Sequence, residues 1–256
     1  MIFYFSATGN SRYVAQKLSA ACGGDRLLSI PELLRAGSTE FSAGPGERVG
    51  FVVPTYFWGL PAIVEEFLRR MSLTVPSDAY FYFVVTYGST PGAICPFAER
   101  QLGRRGFALS SCCSVRMPDT WTPIFDLSDA EKVAKRNAAA EPQIRKACSV
   151  VSNRAVGNFV DWEMPLFLAR AFARPMYGLA RGTSHFSVSD KCIGCGLCAR
   201  QCPDGAIEMR GGKPAWVKPK CDACLGCLHL CPKFAISRGH NTRRHGQYRN
   251  PHDGLE

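Results

Sequence analysis

The chain has 256 residues, enough for one large domain or two smaller ones at roughly 100–200 residues each. Hydrophobic residues make up 46% and charged residues 20%, a balance that excludes a disordered, collagenous or low-complexity chain. The formal net charge is +10, and part of the excess lies at the far C-terminus, where Arg238, Arg243, Arg244 and Arg249 face only Asp253 and Glu256. A basic tail over 239–256 is expected to be a solvated end whose functional use is to dock an acidic partner. Nothing else in the chain resembles a nucleic-acid module, so no nucleic acid is expected as partner.

Residues 1–5 (MIFYF) read as a strand and Tyr13, Val14, Ala15 and Leu18 as one face of a helix. Strands follow near 48–53, 80–86 and 107–116, with helices near 61–71, 92–105 and 129–152. Apolar strands alternating with amphipathic helices imply βαβ units, and a run such as FYFVV implies burial on both faces of the sheet. The expected fold class is therefore α/β, a doubly wound parallel sheet over residues 1–152.

The loop after the first strand reads Ser6-Ala7-Thr8-Gly9-Asn10-Ser11 and opens a helix, an arrangement suited to a phosphate held by backbone N–H groups and hydroxyls. It has neither the lysine of a triphosphate-binding P-loop nor a G-x-G-x-x-G. An ordinary capped helix is the plainer reading of the loop alone. Ligands of doubly wound sheets bind at the carboxyl ends of the strands, so the loops after later strands bear on the choice. Two of them, Pro54-Thr55-Tyr56-Phe57-Trp58-Gly59 and Thr86-Tyr87-Gly88-Ser89-Thr90-Pro91-Gly92, mix aromatics with glycine, as a site for a flat ring does.

Residues 153–183 are expected to form an amphipathic connector packed between two domains. Its stretch 159–179 (FVDWEMPLFLARAFARPMYGL) is apolar and aromatic, but Asp161, Glu163, Arg170 and Arg174 interrupt it and Pro165 and Pro175 break it. A spanning helix needs about 20 mostly apolar residues, so no transmembrane segment is expected; a weak monotopic membrane contact is the alternative use of this stretch.

The strongest signal is a repeat. Cys192, Cys195, Cys198, Cys202 and Pro203 are matched 29 residues later by Cys221, Cys224, Cys227, Cys231 and Pro232, both runs reading C-x2-C-x2-C-x3-C-P. Three closely spaced thiolates reach three irons of a cubane, and the fourth iron takes a cysteine from elsewhere. Structural zinc also uses C-x2-C pairs but needs neither the third thiolate nor the Cys-Pro. Gly194, Gly196 and Gly226 stand between ligands, where the backbone approaches sulfide closely. The remaining five of the thirteen cysteines (Cys22, Cys95, Cys112, Cys113, Cys148) read as small buried hydrophobes. The N-terminus shows no basic n-region or cleavage site, and metal-spaced thiols are kept reduced, so a cytoplasmic location is expected.

Residues 184–238 resemble bacterial two-cluster ferredoxins, small α+β modules in which the fourth cysteine of each run serves the other cluster. The resemblance implies two [4Fe–4S] clusters, one on Cys192, Cys195, Cys198 and Cys231 and the other on Cys221, Cys224, Cys227 and Cys202. FSATGNS resembles the phosphate loop of flavodoxins, and the three loops together look like their FMN site, over roughly residues 1–150. That resemblance implies FMN, its phosphate on Ser6, Thr8, Gly9, Asn10 and Ser11 and its ring among Thr55, Tyr56, Phe57, Trp58, Thr86, Tyr87 and Gly88.

The whole layout is similar to the fused flavodoxin-like and ferredoxin-like "ferrodoxin" proteins of anaerobes. Met117-Pro118-Asp119-Thr120-Trp121 resembles a Met-Pro-x-Asn-Tyr segment of that family, with Thr and Trp in place of Asn and Tyr. Electron transfer between clusters and flavin is the expected function, with redox proteins of ferredoxin type, and an acidic docking surface, as partners. An FMN-dependent oxidoreductase acting on a quinone, nitro compound or similar acceptor is the alternative, and a redox sensor a third reading. His229, inside the second cysteine run, reads as a residue that tunes a cluster.

Overall fold

The computed structural model describes residues 1–252. Asp253 and Glu256, set above against the arginines of the tail, lie outside the described residues. The N-terminal half is built from β1 (Ile2–Tyr4), α1 (Asn10–Ala21), β2 (Leu27–Ser29), α2 (Ile30–Ala36), β3 (Glu40–Ser42), β4 (Arg48–Pro54), α3 (Ala62–Arg70), β5 (Ser72–Thr74), β6 (Tyr80–Tyr87), α4 (Ile94–Gly103), β7 (Ser111–Arg116) and α5 (Ala130–Ser152). Then come β8 (Gly157–Phe159), α6 (Leu166–Leu168), a π-helical turn (Ala169–Ala173), α7 (Arg174–Ala180), β9 (Phe186–Val188), α8 (Leu197–Arg200), β10 (Ile207–Arg210), β11 (Lys213–Trp216), α9 (Gly226–His229) and β12 (Ile236–Arg238).

The main sheet is six-stranded and wholly parallel, in the order β2-β1-β4-β6-β7-β8. Its two faces bury separate clusters, one around Phe3, Phe51, Phe67 and Phe83 and the other around Val14, Tyr82, Val84 and Ile144. Alternate residues of one strand serve opposite clusters, which is why FYFVV reads as an unbroken apolar run. The expected α/β doubly wound class holds. The short β2–α2 unit escapes the sequence reading because three strand residues, LLS, give no period to detect.

The segment after residue 152 is more than a connector. Gly157–Phe159 pairs in parallel with β7 and extends the main sheet. Tyr177 is buried, while Phe167, Phe172, Met176 and Leu179 are exposed. Their spacings of five, four and three residues follow the π-helical turn, whose longer repeat brings Phe167 onto the face of the other three. The outward face is thus the apolar one, the reverse of an ordinary surface helix. Among the described residues no helix is long and apolar enough to cross a membrane.

Two further readings are corrected. Cys95 and Cys112 are buried as expected, but they are joined as a disulfide between α4 and β7. Separation by 17 residues hid the pair, because only the βαβ fold brings the start of a helix over the next strand. The tail is not a solvated end: Leu127 N–H donates to His245 O at 2.8 Å, His245 Nδ1 meets Thr122 O at 2.7 Å, and Asn250 N–H donates to Thr8 O at 2.8 Å. Arg238, counted above among the tail charges, is buried.

Behind α7, the two cysteine runs fold into a small module of two antiparallel ribbons, β9 with β12 and β10 with β11.

Candidate functional site

At the carboxyl ends of β1, β4 and β6 opens a cavity of about 280 Å³. Ser6, Thr8, Asn10 and Ser11 line it from the first loop, Thr55, Tyr56, Phe57 and Trp58 from the second, and Thr86, Tyr87 and Gly88 from the third. Gly9 alone of the expected residues is not in the wall; its φ of 94° makes the left-handed turn that starts α1. No side chain caps that helix, which leaves its first N–H groups to an anion. The Ser11 and Thr86 hydroxyls bond each other at 2.7 Å and join the first loop to the third.

The aromatic loop is held in a costly shape. Phe57 and Trp58 both have positive φ, 47° and 60°, within a tight turn closed by Tyr56 N–H to Gly59 O at 2.9 Å. Gly92 makes room for it, since a Cβ there would lie 2.3 Å from the Trp58 backbone. Phe57 stacks on Tyr177 with centroids 5.5 Å apart and meets Trp121 edge-on at 5.4 Å. Among the described residues no ring packs on Trp58 or Tyr87.

The fourth wall escaped the sequence reading in part. Met117, Pro118, Asp119, Thr120 and Trp121 line the cavity, so the segment singled out by resemblance belongs to the site despite its two replacements. Asp119 packs against Gly88, where a Cβ would approach it to 2.2 Å, and burial raises its carboxyl pKa. Met176 and Tyr177 of α7 complete the lip, with Asp222, Ala223 and Cys224 from the second cysteine run. No periodicity in the sequence places a cysteine-run loop beside the hydroxyl loop after β1, more than 200 residues earlier; only the packing does.

Cys192, Cys195, Cys198 and Cys231 line one small cavity, three from the first run and the last from the second. Cys202 and Cys221 share a buried cluster against which Cys198 and Cys227 pack. Cys195 is exposed, whereas Cys202 and Cys221 are buried. Burial pushes the Cys221 thiol up to about 11 and Cys224 and Cys227 well above their ordinary value, and neighbouring cysteines add to each shift. Thiols packed this way ionise together only against a strong positive charge, the donor chemistry of a metal centre. The Cys202, Cys221 and Cys231 sulfurs each accept a backbone N–H at 3.3 Å, from Ala206, Ala223 and Ala235.

Asp222 staples this module to the sheet domain. It is fully buried, and its carboxylate accepts from Ile63 N–H at 3.1 Å and from the Tyr177 hydroxyl at 2.8 Å. Burial, then the nearby Asp204 carboxylate, raise its pKa to about 7. His229 ties the other side: Nδ1 accepts Tyr248 N–H at 3.2 Å, so Nε2–H donates to Thr120 O at 2.8 Å. Burial lowers its pKa to about 4, so it is neutral at neutral pH. With both ring nitrogens engaged by backbone, His229 positions the Thr120 loop.

The fold and the site define a flavoprotein scaffold carrying a ferredoxin-like module whose cysteine loop enters the flavin cavity. Residues 1–143 match the family described as flavodoxin domain, and residues 186–232 match the 4Fe-4S dicluster domain. The chain belongs to the flavodoxin family, and its residues 186–232 add a 4Fe-4S dicluster domain.

Among curated proteins, a component of the ion-translocating oxidoreductase complex of Methanosarcina acetivorans is 42% identical over 45 residues, 18% of this chain and 17% of that one. A ferredoxin of Pyrobaculum islandicum is 40% identical over 50 residues, 19% of this chain and 47% of its own. The ferredoxin-like protein in nif region of Sinorhizobium fredii is 35% identical over 51 residues, 18% of this chain and 80% of its own. The chain thus spans less than half the length of the first two. No solved structure matches the chain.

Proposed function

We propose that the chain relays electrons between two [4Fe–4S] clusters and one FMN, and so links one-electron and two-electron carriers. The observation that carries this reading is the shared wall: the cavity of the hydroxyl loop and the aromatic turn is also lined by Ala223 and Cys224. A bound cluster exchanges one electron at a time and a bound flavin one or two. Cys192, Cys195, Cys198 and Cys231 hold the outer cluster, and Cys202, Cys221, Cys224 and Cys227 the inner one. Ser6, Thr8, Gly9, Asn10 and Ser11 take the FMN phosphate. Trp58 and Tyr87, on which no ring among the described residues packs, take the two faces of the isoalloxazine, with Thr55, Tyr56, Phe57, Thr86 and Gly88 around it.

The exposed Cys195 marks the outer set as the one a partner reaches. Lys191, Arg200 and Lys233 stand exposed around it, a rim suited to an acidic ferredoxin-type protein. Eight thiols held for iron suit the reducing cytoplasm, where the Cys95–Cys112 disulfide would persist through burial of both its sulfurs away from thiol exchange. The test is anaerobic purification with quantification of iron, sulfide and flavin: about eight irons and one FMN per chain are expected, and four irons, zinc or no flavin would overturn the reading.

A second reading, an FMN-dependent oxidoreductase fed through the ferredoxin domain, is favoured by the cavity's lip, where Ile124 and Met176 are exposed and would meet an apolar acceptor such as a quinone. Steady-state turnover of a quinone above about 1 s⁻¹, the low end of usual enzyme rates, would select it over the carrier.

A further inference from the structure

The two cysteine runs repeat so closely that their differences carry information. Arg238 in β12 stands seven residues after Cys231, and the matching residue after Cys202 is Met209 in β10. Met209 lines the small cavity of Cys192, Cys195, Cys198 and Cys231. The pseudo-twofold relation between the runs puts Arg238 at the equivalent place beside the other set. A thioether on one side is therefore exchanged for a guanidinium on the other.

The surroundings of Arg238 are built for a charge that points inward. The residue is only 6% exposed. Its Cζ lies 5.0 Å from the ring centroid of Trp121, in the flavin cavity wall, and 5.0 Å from that of Phe186. Nη2–H donates to Ala180 O at 2.5 Å, and the backbone N–H donates to Thr242 Oγ1 at 3.0 Å. Nη1 is buried and has no hydrogen-bond partner among the described residues. The sulfurs of Cys221 and Cys227 are the thiol groups that act on its charge. An orphaned buried N–H of a guanidinium is costly, and an acceptor beyond the protein's own atoms would relieve it.

Resting on the two-cluster reading above, we propose that Arg238 is a positioning residue for the inner cluster: Nη1–H donates to sulfur of the centre held by Cys202, Cys221, Cys224 and Cys227 and raises its reduction potential. Hydrogen bonds to the sulfurs and nearby charge are the levers by which a protein sets such potentials. Asp204 and Asp222, also close to these cysteines, act in the opposite sense, and Arg181, which donates Nε–H to Cys221 O at 2.8 Å, acts with Arg238. The outer set has Met209 in the matching place, and Arg200, which donates Nη1–H to Cys195 O at 2.9 Å, is exposed, so solvent screens its charge. The broken repeat thereby biases an electron arriving at the exposed end toward the buried centre beside the flavin.

The test is an EPR-monitored redox titration of the anaerobic, iron-loaded full chain as wild type, R238M, R238K and R238Q. In R238M one midpoint falls by at least the equivalent of a tenfold change in equilibrium constant, about 59 mV for one electron, and the other stays. R238K, which keeps the charge, restores most of the difference, and R238Q, which keeps only a donor, restores less. In wild type labelled with ¹⁵N-arginine, pulsed EPR of the reduced protein shows a nitrogen coupling that R238K lacks; this reading stands even where R238M does not load iron. Eight irons with both midpoints unmoved, or no arginine coupling, overturns the proposal and leaves the two-cluster reading intact. Four irons or zinc in the wild type overturns the two-cluster reading itself.

Discussion

Tyr177→Phe tests whether the two halves of the chain are joined through one buried carboxylate. The substitution keeps the ring that stacks on Phe57 and deletes a hydroxyl that donates to Asp222 Oδ1 at 2.8 Å and accepts from Ala62 N–H at 3.2 Å. Ala62 opens α3, where the N–H has no partner within the helix, so the loss leaves it bare. A hydrogen bond to a charged group contributes about 1.5–3 kcal/mol, and stranding a buried donor costs about 1–3 kcal/mol, so a destabilisation of about 3 kcal/mol is expected. Asp222→Asn keeps an acceptor for the hydroxyl and removes the repulsion from Asp204, so it costs less, about 1 kcal/mol. The double variant should show a coupling of about 1–2 kcal/mol in urea unfolding of anaerobic holoprotein, with iron and flavin contents checked in each variant. Additivity within about 0.5 kcal/mol, the behaviour of independent sites, would refute the staple.

Gly88→Ala forces a Cβ to within 2.2 Å of Asp119, and overpacking of about 1–3 kcal/mol should weaken flavin binding by about 5- to 150-fold in fluorescence titrations while leaving iron content unchanged. Cys95→Ala should cost about 3 kcal/mol in non-reducing urea unfolding, the order expected for closing a loop of this length, and dithiothreitol on the wild type should reproduce part of it. Replacing Lys191, Arg200 and Lys233 together by Glu should slow stopped-flow association with an acidic ferredoxin at least tenfold and abolish its decline with salt, because rim charges act on the encounter.

What the sequence made legible follows from where the information is local. The hydroxyl loop, the aromatic turn and both cysteine runs are contiguous, each fixed by residue type at short spacing, and the fold brings the three strand-end loops to one cavity. The parallel sheet is legible for a similar reason, since strands as long as Arg48–Pro54 and Tyr80–Tyr87 print their burial on the sequence. What stayed hidden is pairing across long separations. Ala223 and Cys224 share a wall with Ser6, and Cys95 meets Cys112, through packing that no local pattern encodes. Arg238 is misread from the sequence because charge there says nothing of burial: two aromatic rings and a carbonyl hold it inside, while its neighbours Arg243 and Arg244 do face solvent.

The tail shows how such pairing joins the sites. Gln247 donates to Leu228 O at 2.6 Å and to Cys231 O at 2.9 Å, beside the second cysteine run. One residue on, the Tyr248 hydroxyl donates toward Asn10 Oδ1 at 2.7 Å, and Asn250 Nδ2–H donates to the same oxygen at 3.0 Å, in the hydroxyl loop after β1. Asn10 Nδ2 in turn approaches Pro118 O at 3.4 Å, next to the loop that His229 holds through Thr120. The cysteine module, the tail, the hydroxyl loop and the 117–121 loop thus close a ring of hydrogen bonds around the cavity. A free flavodoxin and a free ferredoxin would meet in many orientations; here the ring and the staple from Tyr177 of α7 to Asp222 fix one, with Cys224 in the cavity wall. On the proposed relay, the distance between the cofactors is a property of the fold, and the encounter left to diffusion is the one at the exposed Cys195 edge.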